Sequence, residues 1–227
     1  MPRRGTQLEL RAHTHGGRRA GAGRKPGARR RVPHRRRPHH QKRNALHVTV
    51  RVRDGLPSLR TTSLMRVIRR CIAAGHKDWF RVVQFAVLGN HMHFIVEADD
   101  RIRLARGMAG LKIRIAKNLN KALGRRGPLF AERYHVRALT TPAETRAALQ
   151  YLLCNARRHA AQQGRKLARD WLDPCSSAPT FDGWIDRIDQ RLDPQAALIT
   201  RLPQTWLLRH GWRMRGRLDP NVVPGVT

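Results

Sequence analysis

The 227-residue chain predicts an α+β fold on three observations. His47-Val48-Thr49-Val50-Arg51-Val52 is β-branched and alternating, Gly89-Asn90 is a tight-turn signal between two further strand patterns, and apolar residues recur at helical spacing around them. Two strands joined by so short a turn are hairpin partners, so the sheet is antiparallel at that point.

In chain order, residues 1–44 come first. Arginine and lysine dominate them, Glu9 is their single acid, and Gly and Pro recur. Such a composition buries too little apolar surface to offset its ordering entropy, so the reading is a disordered basic N-terminal arm. Gly16 to Pro26, carrying Arg24 and Lys25, resembles the glycine and arginine hooks that enter a DNA groove; a non-specific phosphate-binding tail, with Arg35 further along, is the alternative. His13-Thr14-His15 lies in sequence with no strand character and is discounted as a metal site.

The first strand, from His47, ends at Asp54-Gly55. Leu64, Val67, Ile68, Cys71 and Ile72 then mark an amphipathic helix of about four turns ending at Gly75. Phe80 to Leu88 reads as the second strand, and Gly89-Asn90 leads into the third. Leu104, Met108, Leu111, Ile115 and Leu119 mark one face of a second helix, with Arg114 and Lys117 pointing elsewhere, and Gly124 to Pro128 closes it. Phe130 to Leu139 reads as a last strand carrying Arg133, Tyr134, His135 and Arg137. Thr141-Pro142-Ala143-Glu144 is a helix start with Thr141 as cap and Glu144 placed for a capping box. That helix is expected to run to about Gln163, with Leu149, Leu152, Leu153 and Ala156 as its buried stripe.

Alternation in the third strand sends His91, His93 and Ile95 to one face and Met92, Phe94 and Val96 to the other. Two imidazoles side by side can bind a divalent cation and leave positions open for a further ligand and for substrate oxygens. A pair of histidines on a solvated sheet face fits the same spacing. On the last helix Tyr151, Asn155 and Arg158 share a side away from the core stripe. If that side covers the histidine strand, the chemistry is complete: Tyr151 attacks phosphorus, Asn155 adds a third ligand, Arg158 stabilises developing charge and the metal activates the phosphate. Tyr134 is a rival nucleophile and Glu97 a reserve ligand.

Residues 164–227 form a helical and irregular C-terminal extension holding four of the five tryptophans, Trp171, Trp184, Trp206 and Trp212. Two short helical patterns stand out, Phe181 to Leu192 and Gln204 to Arg213. The indoles either stack on bases or pin the extension onto the preceding domain. The net charge of +32, from 47 Lys+Arg against 15 Asp+Glu, makes nucleic acid the expected partner. Three unpaired cysteines suit a reducing cytoplasm, and no apolar run is long enough to span a membrane.

Strand, helix, hairpin with Gly89-Asn90-His91-Met92-His93, helix, strand with Arg133-Tyr134-His135, then a helix with Tyr151-Leu152-Leu153-Cys154-Asn155: over residues 45–163 this order and spacing resembles the single-tyrosine HUH transposases, and more narrowly their relatives associated with repetitive extragenic palindromes. The resemblance implies a ferredoxin-like antiparallel sheet flanked by helices. It also implies an HUH endonuclease that cuts and rejoins single-stranded DNA with Mg²⁺ or Mn²⁺, recognises a hairpin and forms a 5′-phosphotyrosine. His91 and His93 match the metal histidines and Tyr151 the nucleophile; Asn155 stands where the family often has glutamine. Some relatives are dimers that exchange the tyrosine helix, so a homodimer is one possibility.

The expectation is thus a transposase of a mobile element, acting in DNA transposition and recombination in the bacterial cytoplasm at the nucleoid. Arg24, Lys25, Arg35, Arg114, Lys117, Arg133, Arg137 and Arg158 are its candidate DNA contacts. A catalytically inactive hairpin-binding regulator is the alternative from another class, and an RNA-associated protein is suggested by charge alone.

Overall fold

The computed structural model describes residues 40–185 and 198–225. The basic arm up to residue 39, including Arg24, Lys25, Arg35 and His13-Thr14-His15, lies outside the described residues, as does most of the Phe181 to Leu192 pattern.

Four strands, β1 (Ala45–Arg51), β2 (Phe80–Val87), β3 (His91–Ala98) and β4 (His135–Leu139), form one antiparallel sheet in the order β2-β3-β1-β4. With α1 (Thr62–Ala73) after β1 and α2 (Arg101–Ala122) after β3, this is the ferredoxin-like arrangement expected. Period-two alternation sorts the residues of β1 and β3, and a bulge between Val82 and Gln84 shifts the phase within β2. Leu46, Val48 and Val50, Met92, Phe94 and Val96, and Val82, Phe85 and Val87 pack against Leu64, Ile68 and Ile72 of α1 and Leu104, Met108 and Leu111 of α2. The β2–β3 loop is held from outside: Leu88 N–H donates to His91 O, Val52 N–H to Asn90 O and Leu59 N–H to Gly89 O, each at 2.9 Å. The histidines therefore sit at the beginning of an inner strand.

The opposite face is covered by α3 (Pro142–Leu153). Ala148, Leu149, Leu152 and Leu153 pack on Ala45, Val83, Ala86, Ile95 and Leu139. Thr141 caps this helix, accepting from Glu144 N–H at 3.2 Å, but the Glu144 carboxylate returns to Thr140 N–H and Oγ1 rather than to Thr141. Those hydrogen bonds, first of all the one from the Thr140 amide, hold Glu144 down to a pKa of about 2.

Two expected boundaries move. The last strand begins at His135, not Phe130; Phe130 makes an isolated bridge to Val52, and Tyr134 turns into the α1/α2 core, 6 % exposed. The helix expected to reach Gln163 breaks at Cys154 into α3 and α4 (Asn155–Gln162). The break coincides with side-chain contacts from far along the chain: Gln150 Nε2 donates to Asp219 O at 2.7 Å, and Cys154 Sγ lies 3.7 Å from Pro220 O.

The C-terminal segment joins this body. Val87 N–H donates to Cys175 O and Ser177 N–H to Phe85 O, both at 2.9 Å, which extends pairing along the outer edge of β2. Arg60 grips Asp173 with two guanidinium nitrogens at 2.9 and 2.7 Å and donates to Val87 O. Trp184 and Trp212 are buried with Phe181 in the α3-side core, the pinning role rather than the stacking one. The Gln204 to Arg213 pattern becomes a short helix, Trp206–Arg209, and a 3-10 turn, Gly211–Arg215. No helix among the described residues is long and apolar enough to cross a membrane.

Two predictions follow from packing. A Cβ on Gly107 of α2 would stand 2.2 Å from the Phe80 ring, so Gly107→Ala is expected to destabilise the protein by about 1–3 kcal/mol despite alanine's better helix propensity, seen as a lower urea midpoint. Arg60→Met strands the Asp173 carboxylate, only 2 % exposed; a loss of about 3–5 kcal/mol is expected in the same measurement, the cost of an uncompensated buried charge.

Candidate active site

The register places a polar row across the α3-side face of the sheet. His135, Thr49, His93 and Ala86 are direct cross-strand neighbours, with Arg51 opposite His91 and His47 opposite Ile95. His93 is buried, while His91, His47 and Thr49 are half-buried. The His91 and His93 rings are 5.0 Å apart, and those of His47 and His93 5.3 Å.

Hydrogen bonding orients both candidate ligands. With its Nδ1 protonated, His93 donates to Thr49 Oγ1 at 3.1 Å, with His47 Nε2 at 3.2 Å from the same nitrogen. Likewise His91 Nδ1–H donates to Asn90 Oδ1 at 2.8 Å. This tautomer leaves both Nε2 lone pairs available, and fixing the far nitrogen is how metal-binding imidazoles are commonly oriented. His93 Nε2 is itself buried and has no hydrogen-bond partner among the described residues.

Helix α3 brings Tyr151 over this row. Its ring centroid is 5.5 Å from that of His93 at 90° and 6.0 Å from that of His47. The Arg158 guanidinium lies 5.6 Å from the Tyr151 ring, and His159 of α4 lies 5.9 Å from His91. Asn155 is four residues after Tyr151 and four before His159. It is fully buried, and neither its amide oxygen nor its nitrogen has a hydrogen-bond partner among the described residues.

The structure thus brings together His91, His93, Tyr151 and Arg158. It separates others. Tyr134 lies in the core on the opposite face of the sheet. Glu97 stands at the far end of β3, where its carboxylate accepts from Gln204 N–H and Thr205 N–H at 2.7–3.0 Å, with Arg81 at 3.8 Å. Arg114 and Lys117 are exposed on α2, in the layer across the sheet from the histidines. Arg137 is ion-paired with Glu144 at 2.7 Å, and Arg133 is half-buried in the connection before β4.

Three residues at this site carry no expectation from the sequence: His47 and Thr49, which hold His93, and His159. His159 was readable, being at helical spacing from Tyr151 and Asn155; the other two depend on a strand register that sequence alone leaves open.

Burial dominates the electrostatics. It lowers the pKa of His93 to about 3, helped by the neighbouring His47, His91 and His159. Burial likewise takes His47 to about 4, with Arg137 and His135 adding to it, and His91 to about 4, with His159 and Arg51 adding. At neutral pH these rings are therefore neutral, the form that coordinates metal. Among the described residues no group of three or more His, Cys, Asp or Glu is arranged to hold a metal ion. The His91 and His93 imidazoles do converge, and the unpartnered Nε2 of His93 fits a cation; Asn155, buried with its amide unpartnered, begins α4 one turn after Tyr151.

No family model and no curated protein matches the chain. Among solved structures, that of the REP-associated tyrosine transposase bound to a REP hairpin is similar at 20 % identity, covering 64 % of this chain and 82 % of that one, with a TM-score of 0.49.

The lowered pKa values make stability depend on pH. Below the ordinary histidine value of 6.5 the unfolded chain takes up protons that the folded rings refuse until pH 3–4, so stability is expected to fall as the pH drops from 6.5 towards 4. Urea midpoints at about pH 7.5 and about pH 5 read the difference, and replacing both His47 and His93 with Gln should reduce it, leaving the share of His91.

Proposed function

We propose that the protein is a metal-dependent single-stranded DNA strand transferase of the single-tyrosine HUH kind, which cuts and rejoins DNA through a 5′-phosphotyrosine and recognises a hairpin. The observation that carries this reading is the Tyr151 ring standing 5.5 Å from His93, one of an oriented, neutral histidine pair, beside an arginine. The sequence motifs of residues 45–163 and the net charge of +32 support it.

In this reading the Tyr151 phenolic oxygen forms a bond to phosphorus as the bond from phosphorus to the 3′ oxygen breaks. The phenol gives up its proton and the released 3′ oxygen takes one, so the exchange is proton-neutral. His91 and His93 would hold Mg²⁺ or Mn²⁺, with the Asn155 carbonyl as third ligand. Bound there, the ion would withdraw charge from a non-bridging phosphate oxygen. Thr49 and His47 keep His93 turned with Nε2 forward. Arg158, alongside the phenol, holds the phosphate and offsets charge that develops on it. Joining runs the same steps in reverse with a different 3′-hydroxyl.

A second reading, a hairpin-binding regulator without catalysis, is favoured by the absence, among the described residues, of any three-member His, Cys, Asp or Glu metal set. One experiment separates the two: labelled single-stranded DNA from the flanks of the gene, with Mg²⁺ or Mn²⁺ or with chelator, assayed for a protein–DNA adduct that survives denaturation. The adduct is expected with metal, and Tyr151→Phe should abolish it while DNA affinity changes less than about twofold. Thr49→Val should raise the metal concentration needed by about 10–100-fold, the usual cost of losing a group that orients a ligand. Hairpin binding with no adduct under any metal would favour the regulator.

A further inference from the structure

At the far end of β3, about 20 Å from His91 at the rise of a strand, lies a cavity of about 430 Å³. Trp79 and Trp206 line it, together with Lys42, Arg43, Arg81 and Thr205. Its two acids are already occupied: Asp99 pairs with Lys42 at 3.0 Å, and Glu97 accepts backbone amides from Gln204 and Thr205. The Thr205 hydroxyl, on a side chain only 8 % exposed, has no hydrogen-bond partner among the described residues.

Trp206 is the unusual member. It is 55 % exposed, yet it is not loose: a Cβ on Gly211 would stand 2.6 Å from its ring, so the indole lies directly on the Gly211 backbone. Trp79, half-buried, has the Arg103 guanidinium 5.3 Å over its ring. An indole seated on a glycine and left bare keeps a flat apolar surface in water, and the pairing of such surfaces with cations is the arrangement that binds unpaired nucleotides, bases stacking while the cations hold phosphate.

We infer that this cleft is a nucleic-acid site separate from the tyrosine, which receives an unpaired nucleotide by stacking its base on Trp206, and on Trp79 across the cleft, with the exposed Arg43 at the phosphate and Lys42, whose ion pair with Asp99 is open to solvent, beside it. The chain's +32 charge supplies attraction without selectivity; the indoles add a preference for unpaired bases over a closed duplex, whose bases are already stacked. The site stands independently of catalysis at Tyr151.

The test titrates full-length protein into labelled oligothymidylate and, separately, into a blunt duplex, at raised salt where phosphate contacts are weakened. Trp206→Ala is expected to weaken oligothymidylate binding about tenfold and to leave the duplex within about twofold. Gly211→Ala, which displaces the ring without removing it, should weaken the single strand in the same direction, and Trp206→Phe should restore most of the affinity. Unchanged oligothymidylate affinity in Trp206→Ala, or an equal loss on both DNAs, overturns the proposal. Indole emission of the unaltered protein, expected to be quenched by oligothymidylate, gives a check free of any folding defect; no quenching overturns it too. The titrations are run in chelator, with no metal at the histidine pair, so a failure of the proposed metal-dependent catalysis leaves these readings unaffected.

Discussion

Burial of β3 on both faces is the constraint on which the rest of the site depends. One face needs Met92, Phe94 and Val96 to close the core under α1 and α2; the other is roofed by α3. A polar side chain on such a strand must find partners or remain uncharged. His93 does both: burial holds its ring neutral, and Thr49 and His47 take its inner nitrogen. Tyr151, Arg158 and His159 stand half-buried at the rim of this enclosure, where a substrate can still reach them.

Much of this was legible in the sequence because period two and period 3.6 are robust signals. The order of elements, the hairpin at Gly89-Asn90, the face shared by His91 and His93, and the Thr141 cap follow from local patterns. What local pattern omits is who stands opposite whom. Thr49 faces His93 only because β1 and β3 pair in that register, and the break at Cys154 coincides with contacts from Asp219 and Pro220, some 65 residues later. Phe130 to Leu139 read as one strand, yet Tyr134 is drawn into the core and regular pairing starts only at His135.

The tryptophans divide in a way composition could not foresee. Trp184 and Trp212 are spent on the α3-side core, and both indole N–H groups donate to nearby carbonyls, Ala178 O at 3.1 Å and Leu208 O at 3.0 Å. Trp206, a few residues before Trp212, keeps more than half its surface open. Residue type alone does not separate the buried indoles from the bare one, nor does a glycine against the ring, since Gly183 meets Trp212 as Gly211 meets Trp206; the packing of the C-terminal segment decides it.

The pairing of residues 175–177 along β2 has a consequence for shortened versions of the protein. β2 is an outer strand, and this strap satisfies backbone groups that would otherwise face solvent as an open template. A chain ending near Gly164 would keep every candidate catalytic side chain, yet it would bare that edge together with the apolar floor under Trp184 and Trp212. Self-association through strand addition would then compete with folding, and a loss of activity in such a fragment would report aggregation, not chemistry.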